Sequence, residues 1–231
     1  MSSIVIIPAR GGSKRIPKKN IKEFMGKPML AYSVEAAVES GIYDEVMVST
    51  DSEEIAEIAL KYGASVPFMR SEKTASDYAT TTDVLLEVLD NYKKEGKEFD
   101  ILSCLYPTAP FVTGKKLREA YEAFLSSDGD SLVSVVPFSY PPQRGFVYDE
   151  NGYLSYREPQ YMNTRSQDLP KMYHDAGQFY FTKTASFYKN LSFAVGRSVP
   201  YVLSETEVQD IDNDDDWTMA EIKLKMMAEK K

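Results

Sequence analysis

The chain has 231 residues and is 43% hydrophobic, enough for one sizeable α/β domain and too little for two independent ones. Its 27 Lys and Arg are outweighed by 35 Asp and Glu, and the net charge of −8 argues against nucleic acid or an anionic membrane as a bulk partner. A single cysteine, Cys104, precludes an internal disulfide; with no membrane-length apolar run and no charged-then-apolar leader, the expectation is a soluble cytoplasmic protein.

In chain order, the apolar run Ile4-Val5-Ile6-Ile7-Pro8 reads as a buried strand, and it feeds into Ala9-Arg10-Gly11-Gly12-Ser13-Lys14-Arg15-Ile16-Pro17-Lys18-Lys19-Asn20. The two glycines let backbone N–H groups approach an anion closely, and Arg10, Ser13, Lys14 and Lys19 surround the turn with donors suited to a polyphosphate. Neither a Walker A loop nor a Gly-x-Gly-x-x-Gly fingerprint is present, which disfavours an ordinary ATPase or a dinucleotide dehydrogenase.

Pro28 then opens a helical pattern with Leu30, Val34, Ala37 and Val38 on one face, ended by Gly41. A strand at 45–50 follows, and Asp51, with Glu54 three residues on, reads as the N-cap of a helix burying Ile55, Ile58, Ala59 and Tyr62 up to Gly63. The rhythm continues with a short strand at 65–69 and a helix from about Thr82 carrying Leu85, Val88, Leu89 and Tyr92 to Gly96. A strand at 100–106 places Cys104 in the core; Thr113 caps a helix with Leu117, Ala120, Tyr121 and Phe124 inward, and a strand at 131–136 follows.

Strands alternating with helices predict a Rossmann-like α/β fold, a mainly parallel sheet with helices on both faces and its ligand beyond the carboxyl ends of the strands. Arg10, Asp51, Arg70 and Tyr106 each follow a predicted strand, so one rim of the sheet should collect them. From 137 to 173 the texture changes to Pro, Gly, Tyr and Gln, with short β-like pieces at 146–148 and 153–156. Within a single domain spanning 1–231, this segment reads either as an insertion whose aromatic face meets another subunit or as a long ordered loop. The regular pattern resumes with strands at 177–182 and near 201–203, then a final helix from Asp215 through Trp217, Ile222 and Met226.

The acidic stretch Gln209-Asp210-Ile211-Asp212-Asn213-Asp214-Asp215-Asp216 precedes that helix. Capping and the helix dipole account for Asp214, Asp215 and Asp216. Asp210 and Asp212, alternating around Ile211, can present two carboxylates to one side, a suitable donor pair for Mg2+ together with phosphate oxygens. A triphosphate turn and a Mg2+-type acid pair on one α/β sheet describe a nucleotidyltransferase, in which positioning and charge neutralisation do most of the catalysis as pyrophosphate leaves.

The opening turn, Ser49-Thr50-Asp51, Arg70, Pro107-Thr108-Ala109-Pro110 and Gln209-Asp210-Ile211-Asp212 occur in the order and spacing of the CMP-sugar-acid synthetases. The chain resembles this acylneuraminate cytidylyltransferase family over nearly its whole length. Thr164-Arg165-Ser166-Gln167-Asp168-Leu169-Pro170 and Tyr173-His174-Asp175-Ala176-Gly177-Gln178-Phe179-Tyr180 look like the branch acting on pseudaminic acid. The resemblance implies Mg2+-dependent transfer of CMP from CTP to the anomeric hydroxyl of a nonulosonic acid by a homodimer, with pseudaminic acid ahead of sialic or legionaminic acid. It also implies that Ala9, Arg10, Gly11, Gly12, Ser13, Lys14, Lys19, Asn20, Arg70, Ala79 and Thr81 bind the nucleotide. Arg10, Lys14 and Lys19 would act in catalysis with Asp210 and Asp212, which would also bind the metal. Tyr106, Arg165, Asp175, Gln178 and Tyr180 would bind the sugar, the Arg165 fork taking its carboxylate.

Where the sialic acid branch has Gln-Pro-Thr-Ser-Pro-Leu-Arg, this chain has Tyr106-Pro107-Thr108-Ala109-Pro110-Phe111-Val112, which suits an acid with different substituents. His174, the single histidine, reads as a hydrogen-bonded neighbour of Asp175 rather than as the catalytic base. Two other classes stay open on the residues alone: a nucleotide-sensing protein on the same fold, and a sugar-1-phosphate nucleotidyltransferase using UTP or dTTP.

Overall fold

Strand β1 (Ser3–Pro8) is apolar from Ile4 onward because both of its faces are covered. Val5 and Ile7 enter one core cluster with Leu30, Val34, Leu117 and Phe124, whereas Ile4 and Ile6 enter a second with Leu85, Val88, Tyr92 and Phe187. The alternation of a single strand therefore divides the molecule into two helical layers. The computed structural model describes residues 1–194 and 196–229.

After β1 a small ribbon of β2 (Glu23–Phe24) and β3 (Lys27–Pro28) leads into α1 (Met29–Ser40), which ends at Gly41 with φ +64°, a left-handed C-cap that glycine adopts without strain. Strand β4 (Glu45–Ser49) and helix α2 (Glu53–Lys61) follow, then α3 (Glu72–Ala75), α4 (Thr81–Lys94), β5 (Ile101–Leu105), α5 (Gly114–Ser126) and β6 (Ser131–Pro137). The hairpin β7 (Phe146–Tyr148) and β8 (Leu154–Tyr156) precedes β9 (Tyr173–Lys183), α6 (Thr184–Asn190), β10 (Ser198–Val202) and α7 (Asp214–Glu229). The main sheet runs β10-β6-β9-β5-β1-β4. β1 is parallel to β4 and β5, and β6 to β10, so the expected mainly parallel α/β sheet is present.

Strand β9 is the exception. It runs antiparallel between β5 and β6, because the chain leaves β6 through the 138–172 segment and returns alongside it without a crossover helix. A break in register between Val133 and Val135, with Gly177 at φ +60°, bends β9 just where it borders the site. The 138–172 segment holds the β7–β8 hairpin, where Phe146 and Tyr156 pack with ring centroids 4.5 Å apart, and leaves Tyr140, Tyr148, Tyr153 and Leu154 exposed.

Several local expectations need correction. Ser52, not Asp51, caps α2 by accepting from the Ile55 N–H, because Asp51 is engaged elsewhere. Val38 is exposed on α1, and the predicted strand at 65–69 shrinks to a bridge between Met47 and Ser65. The final helix is present as expected, and its buried face, left open by the sequence, carries Trp217 and Ala220 while Ile222 and Met226 face outward. The helix is rotated by its largest side chain: the Trp217 ring packs edge-on to Phe24 at 5.2 Å, with the Lys22 ammonium over it at 4.4 Å. Cys104 is fully buried, as expected, and burial pushes its thiol up, out of reach of reactive use. No helix among the described residues is long and apolar enough to cross a membrane.

Candidate active site

The turn after β1 is pinned on three sides. The Ala9 N–H donates to the Ser49 carbonyl at 2.9 Å, extending the parallel ladder by one bond. The Gly11 N–H donates to Asp51 Oδ1 at 2.8 Å, and a Cβ at Gly11 would stand 3.2 Å from that of Ser52, so a side chain there would push the turn off α2. A Cβ at Gly12 would meet nothing within 4 Å, leaving the turn open on that side. Buried Asn20 donates through Nδ2 to the Arg10 carbonyl at 2.9 Å and accepts from the Leu30 N–H at 2.7 Å, tying the far end of the turn to α1. Arg10 and Lys14 share one counter-ion: Arg10 Nη1 donates to Asp77 Oδ1 at 2.8 Å and Lys14 Nζ ion-pairs with the other oxygen. Those two bonds, Lys14 first, hold the Asp77 carboxyl below the usual carboxylate range.

The acidic stretch reaches the same place from the other end of the chain. Ile211 is fully buried with Ile16, Phe24 and Trp217, so the alternation of an extended backbone turns Asp210 and Asp212 into the cleft. Behind them Asn213 and Asp216 form a reciprocal cap on α7: the Asp216 N–H donates to Asn213 Oδ1 at 2.9 Å, and the Asn213 N–H to Asp216 Oδ2 at 3.1 Å. The Asp212 N–H also donates to Asp216, at 2.9 Å, so the cap holds the acid pair in place. Arg15 lies 2.8 Å from Asp212 Oδ1, and Lys19 donates to the Ile211 carbonyl at 2.5 Å with Asp212 Oδ1 at 3.8 Å. Burial lowers the Lys19 pKa, partly offset by Asp212 and Asp210; burial and then the Asp212 charge raise that of Asp210.

Arg10, Ser13, Lys14, Lys19 and Asn20 thus line one cleft of about 470 Å3 with Asp210 and Asp212. Its donor chemistry fits Mg2+. Two carboxylates project from one side, and among the described residues no group of three or more His, Cys, Asp or Glu that could hold a metal is assembled. An ion held here would take its remaining oxygens from substrate phosphates and water, the usual habit of Mg2+.

A second cavity of about 540 Å3 adjoins the first, sharing Tyr106, Gly177 and Asp210 with it. The Tyr106 and Thr81 hydroxyls are 3.2 Å apart, and the Tyr106 ring packs edge-on to Tyr180 at 5.9 Å. Tyr180 donates to Asp175 Oδ1 at 2.7 Å, and the Gly177 N–H donates to the same oxygen at 2.8 Å, a meeting that depends on the bend in β9. Burial pushes Tyr106 up to about 12 and Tyr180 higher still, so both phenols stay protonated donors. His174 Nδ1 is 2.9 Å from the Asp175 carbonyl, and its ring lies 4.9 Å from that of Phe138. Lys223, from α7, completes the wall; its ammonium donates to the carbonyls of Glu205 and Val208 and to Gln209 Oε1 at 3.1, 2.7 and 3.0 Å.

Other expected residues lie elsewhere. Arg70 lines neither cavity; it is buried, with Nε 3.1 Å from Ser49 Oγ and Nη2 2.7 Å from the Ser49 carbonyl, bracing the end of β4. Asp51, expected on the rim, is occupied by Gly11. Gln178 is 1% exposed, its Nε2 turned to the Ala176 carbonyl. Arg165 does not reach either cavity, since its exposed guanidinium is paired with Asp168 at 2.7 Å. Ala79 sits in the loop ahead of α4, its N–H 3.3 Å from the Ser76 carbonyl. Conversely, Arg15, Asp77 and Lys223 belong to the site and were not singled out from sequence. Arg15 was legible in the basic run; Lys223 lies on a helix whose buried face the sequence left open, and Asp77 in a stretch without periodicity.

A cationic turn after the first strand of a mainly parallel sheet, facing an acid pair ahead of the last helix, is an arrangement suited to nucleotidyl transfer. The chain belongs to the cytidylyltransferase family, whose sequence profile matches residues 4–214. It is 44% identical to a pseudaminic acid cytidylyltransferase of Campylobacter jejuni subsp. jejuni serotype O:2 over 230 residues, 99% of either chain. It is 35% identical to a CMP-N,N'-diacetyllegionaminic acid synthase of Legionella pneumophila subsp. pneumophila over 231 residues, again 99% of either chain. In fold it is similar to CMP:2-keto-3-deoxy-manno-octonic acid synthetase solved with CTP, with a TM-score of 0.70 at 18% identity, covering 99% of this chain and 100% of that one.

Proposed function

We propose that this chain transfers CMP from CTP to the anomeric hydroxyl of a nonulosonic acid, with pseudaminic acid as the acid, and releases pyrophosphate. The observation that carries this reading is the convergence of Arg10, Lys14 and Lys19 with Asp210 and Asp212 in one cleft that opens into a second, sugar-sized cavity. The similarity to the Campylobacter jejuni protein over 99% of both chains favours pseudaminic acid over related acids.

In the reaction the hydroxyl oxygen bonds to the α-phosphorus, its proton is released, and the bond from that phosphorus to the bridging oxygen breaks. Arg10, Lys14 and Lys19 neutralise the charge that gathers on the departing pyrophosphate, the kind of electrostatic support whose loss costs about 10²-fold or more in rate per donor. Asn20 holds the turn in register and, with the Thr81 hydroxyl beside Tyr106, stands at the nucleoside end. Asp210 is the one acid common to both cavities, so it stands where hydroxyl and phosphorus must meet. Asp210 and Asp212 would hold Mg2+, which supplies charge neutralisation and orientation of the phosphates when bound. Tyr106, Asp175 and Tyr180 shape the sugar cavity, with Asp175 accepting from the N–H and O–H groups of the acid's substituents. A cytoplasmic homodimer docked through the 138–172 segment completes the proposal, supported by the exposed Tyr140, Tyr148, Tyr153 and Leu154.

Pyrophosphate release with CTP, Mg2+ and separate purified acids tests the assignment. Turnover of pseudaminic acid well above that of N-acetylneuraminic or legionaminic acid is expected. Preference for either of the latter would reassign the substrate, and silence with all three would remove the transferase reading.

A further inference from the structure

At the end of the sheet away from the active cleft, the last turn of α4 and the entry to β5 meet the end of β9 and the start of α6 around a cavity of about 290 Å3. Its wall holds three lysines and two acids, and the pairing among them decides its charge. Glu98 Oε1 lies 3.2 Å from Lys93 Nζ, and Asp100 Oδ2 accepts from the Ser2 N–H at 2.7 Å, so both acids are already engaged. Lys93 is explained further by its place at the carbonyl end of α4. The other two lysines are not. Lys97 has no ion pair among the described residues, its ammonium standing 5.6 Å from the Tyr92 ring. Lys183 is 3.6 Å from Asp130, an acid outside the cavity that Arg197 also approaches, at 3.8 Å. In a chain of net charge −8, this wall thus offers one unpaired and one loosely held cation. Thr184 is an independent sign: it lines the same cavity, is 8% exposed, and its buried Oγ1 has no hydrogen-bond partner among the described residues. Buried hydroxyls are nearly always paired, so an orphan in a cavity wall calls for an acceptor that arrives with a ligand.

We propose that this cavity is a second ligand site, taking a phosphomonoester no larger than a mononucleotide, with Lys97, Lys183 and Thr184 on the phosphate and the apolar side of the cavity on a flat body. A phosphomonoester carries close to two negative charges at neutral pH and three acceptor oxygens, which matches two ammonium groups and one hydroxyl. Leu89, Phe99 and the half-exposed Tyr188 ring supply the apolar side, which a bare inorganic anion would leave uncovered. The volume lies at the small end of the range for ligand sites, and that sets the upper size of the occupant. None of these residues lines the active cleft or the cavity beside it, so the site stands apart from the transferase reading.

Calorimetric titration with AMP, adenosine and inorganic phosphate tests this, on full-length variants whose thermal midpoints match wild type. An Arg10→Ala, Lys14→Ala variant keeps the active cleft out of the reading. In it AMP should bind one site per chain, about tenfold or more tighter than adenosine or phosphate, because each of those lacks one half of the contacts. Adding Lys97→Ala and Lys183→Ala should weaken AMP about tenfold or more and leave adenosine unchanged. Thr184→Val, which keeps the shape and removes the hydroxyl, should weaken AMP about threefold or more, and Tyr188→Ala should bring AMP down toward phosphate. No AMP binding by wild type at millimolar concentration overturns the proposal. So does binding that is lost with Arg10 and Lys14 yet survives the loss of Lys97 and Lys183, since AMP would then sit in the active cleft. Equal affinity for AMP and phosphate overturns it as well, because the apolar side would contribute nothing. All of these readouts are independent of turnover, so this inference and the transferase reading fail separately.

Discussion

At Asp210, stability and chemistry oppose one another. Burial and the neighbouring Asp212 raise its pKa above the ordinary aspartate value. Such a carboxyl favours folding most below its unfolded pKa and loses that contribution as pH rises through the folded one, so the ionised pair destabilises the protein at neutral pH. Asp210→Asn should therefore raise the thermal midpoint by about 1–2 °C at about pH 7, after discounting for solvent screening, with the gain vanishing toward about pH 4. The same variant should lower pyrophosphate release by about 10²-fold or more. Calorimetric scans across that pH range, alongside the rate assay, check both parts. Asp77 sets up a different competition, because its carboxylate occupies the cations that a triphosphate would use. Asp77→Asn should lower the KM for CTP by about three- to fivefold at low salt and by less at high salt. A raised KM would mean instead that Asp77 holds Arg10 and Lys14 ready for the nucleotide.

Helix α7 shows how an element can carry both structure and site. The Asn213–Asp216 cap starts the helix and also holds the backbone of Asp212. Asn213→Ala should cost about 1 kcal/mol of stability, or about 2–4 °C in thermal midpoint, and raise the Mg2+ concentration needed for half-maximal rate. A stability loss with unchanged Mg2+ dependence would confine the cap to a structural role. Local pattern made the two-sided burial of β1 legible, as it did the cap of α5 at Thr113, where the side chain accepts from the Lys116 N–H. Pattern failed where burial is decided by a distant partner. Two apolar stripes compete on α7, and only the meeting of Trp217 with Phe24 selects between them. Likewise nothing local marks β9 as antiparallel, since its direction follows from how the chain returns from the 138–172 segment.

For the whole molecule, that segment is the outstanding surface: its exposed Tyr140, Tyr148, Tyr153 and Leu154 lie on a part that adds little to the central core. A Tyr148→Glu and Leu154→Glu double variant should elute as a monomer where wild type elutes as a dimer, read by light scattering, with the thermal midpoint of the monomer fold retained. A wild-type monomer at the same concentration would remove the dimer proposal. The site's two halves were legible because cationic turn and alternating acids each have a local signature, although 190 or so residues separate them; Lys19 and Ile211, joined at 2.5 Å, are 192 apart. What sequence could not supply was the lining of the second cavity, brought together from the end of β6, from β9, from the 205–210 stretch and from α7 by tertiary packing alone.

The central claim is that those two halves act on one triphosphate, and calorimetric titration of CTP with and without Mg2+ tests it most directly. In wild type, Mg2+ should tighten CTP binding by about tenfold or more, whereas the Asp210→Asn, Asp212→Asn double variant should lose that gain yet keep its metal-free affinity. Lys14→Ala should weaken binding under both conditions. An undiminished Mg2+ effect in the double variant would contradict the account, because the metal and the acid pair would then have nothing to do with each other.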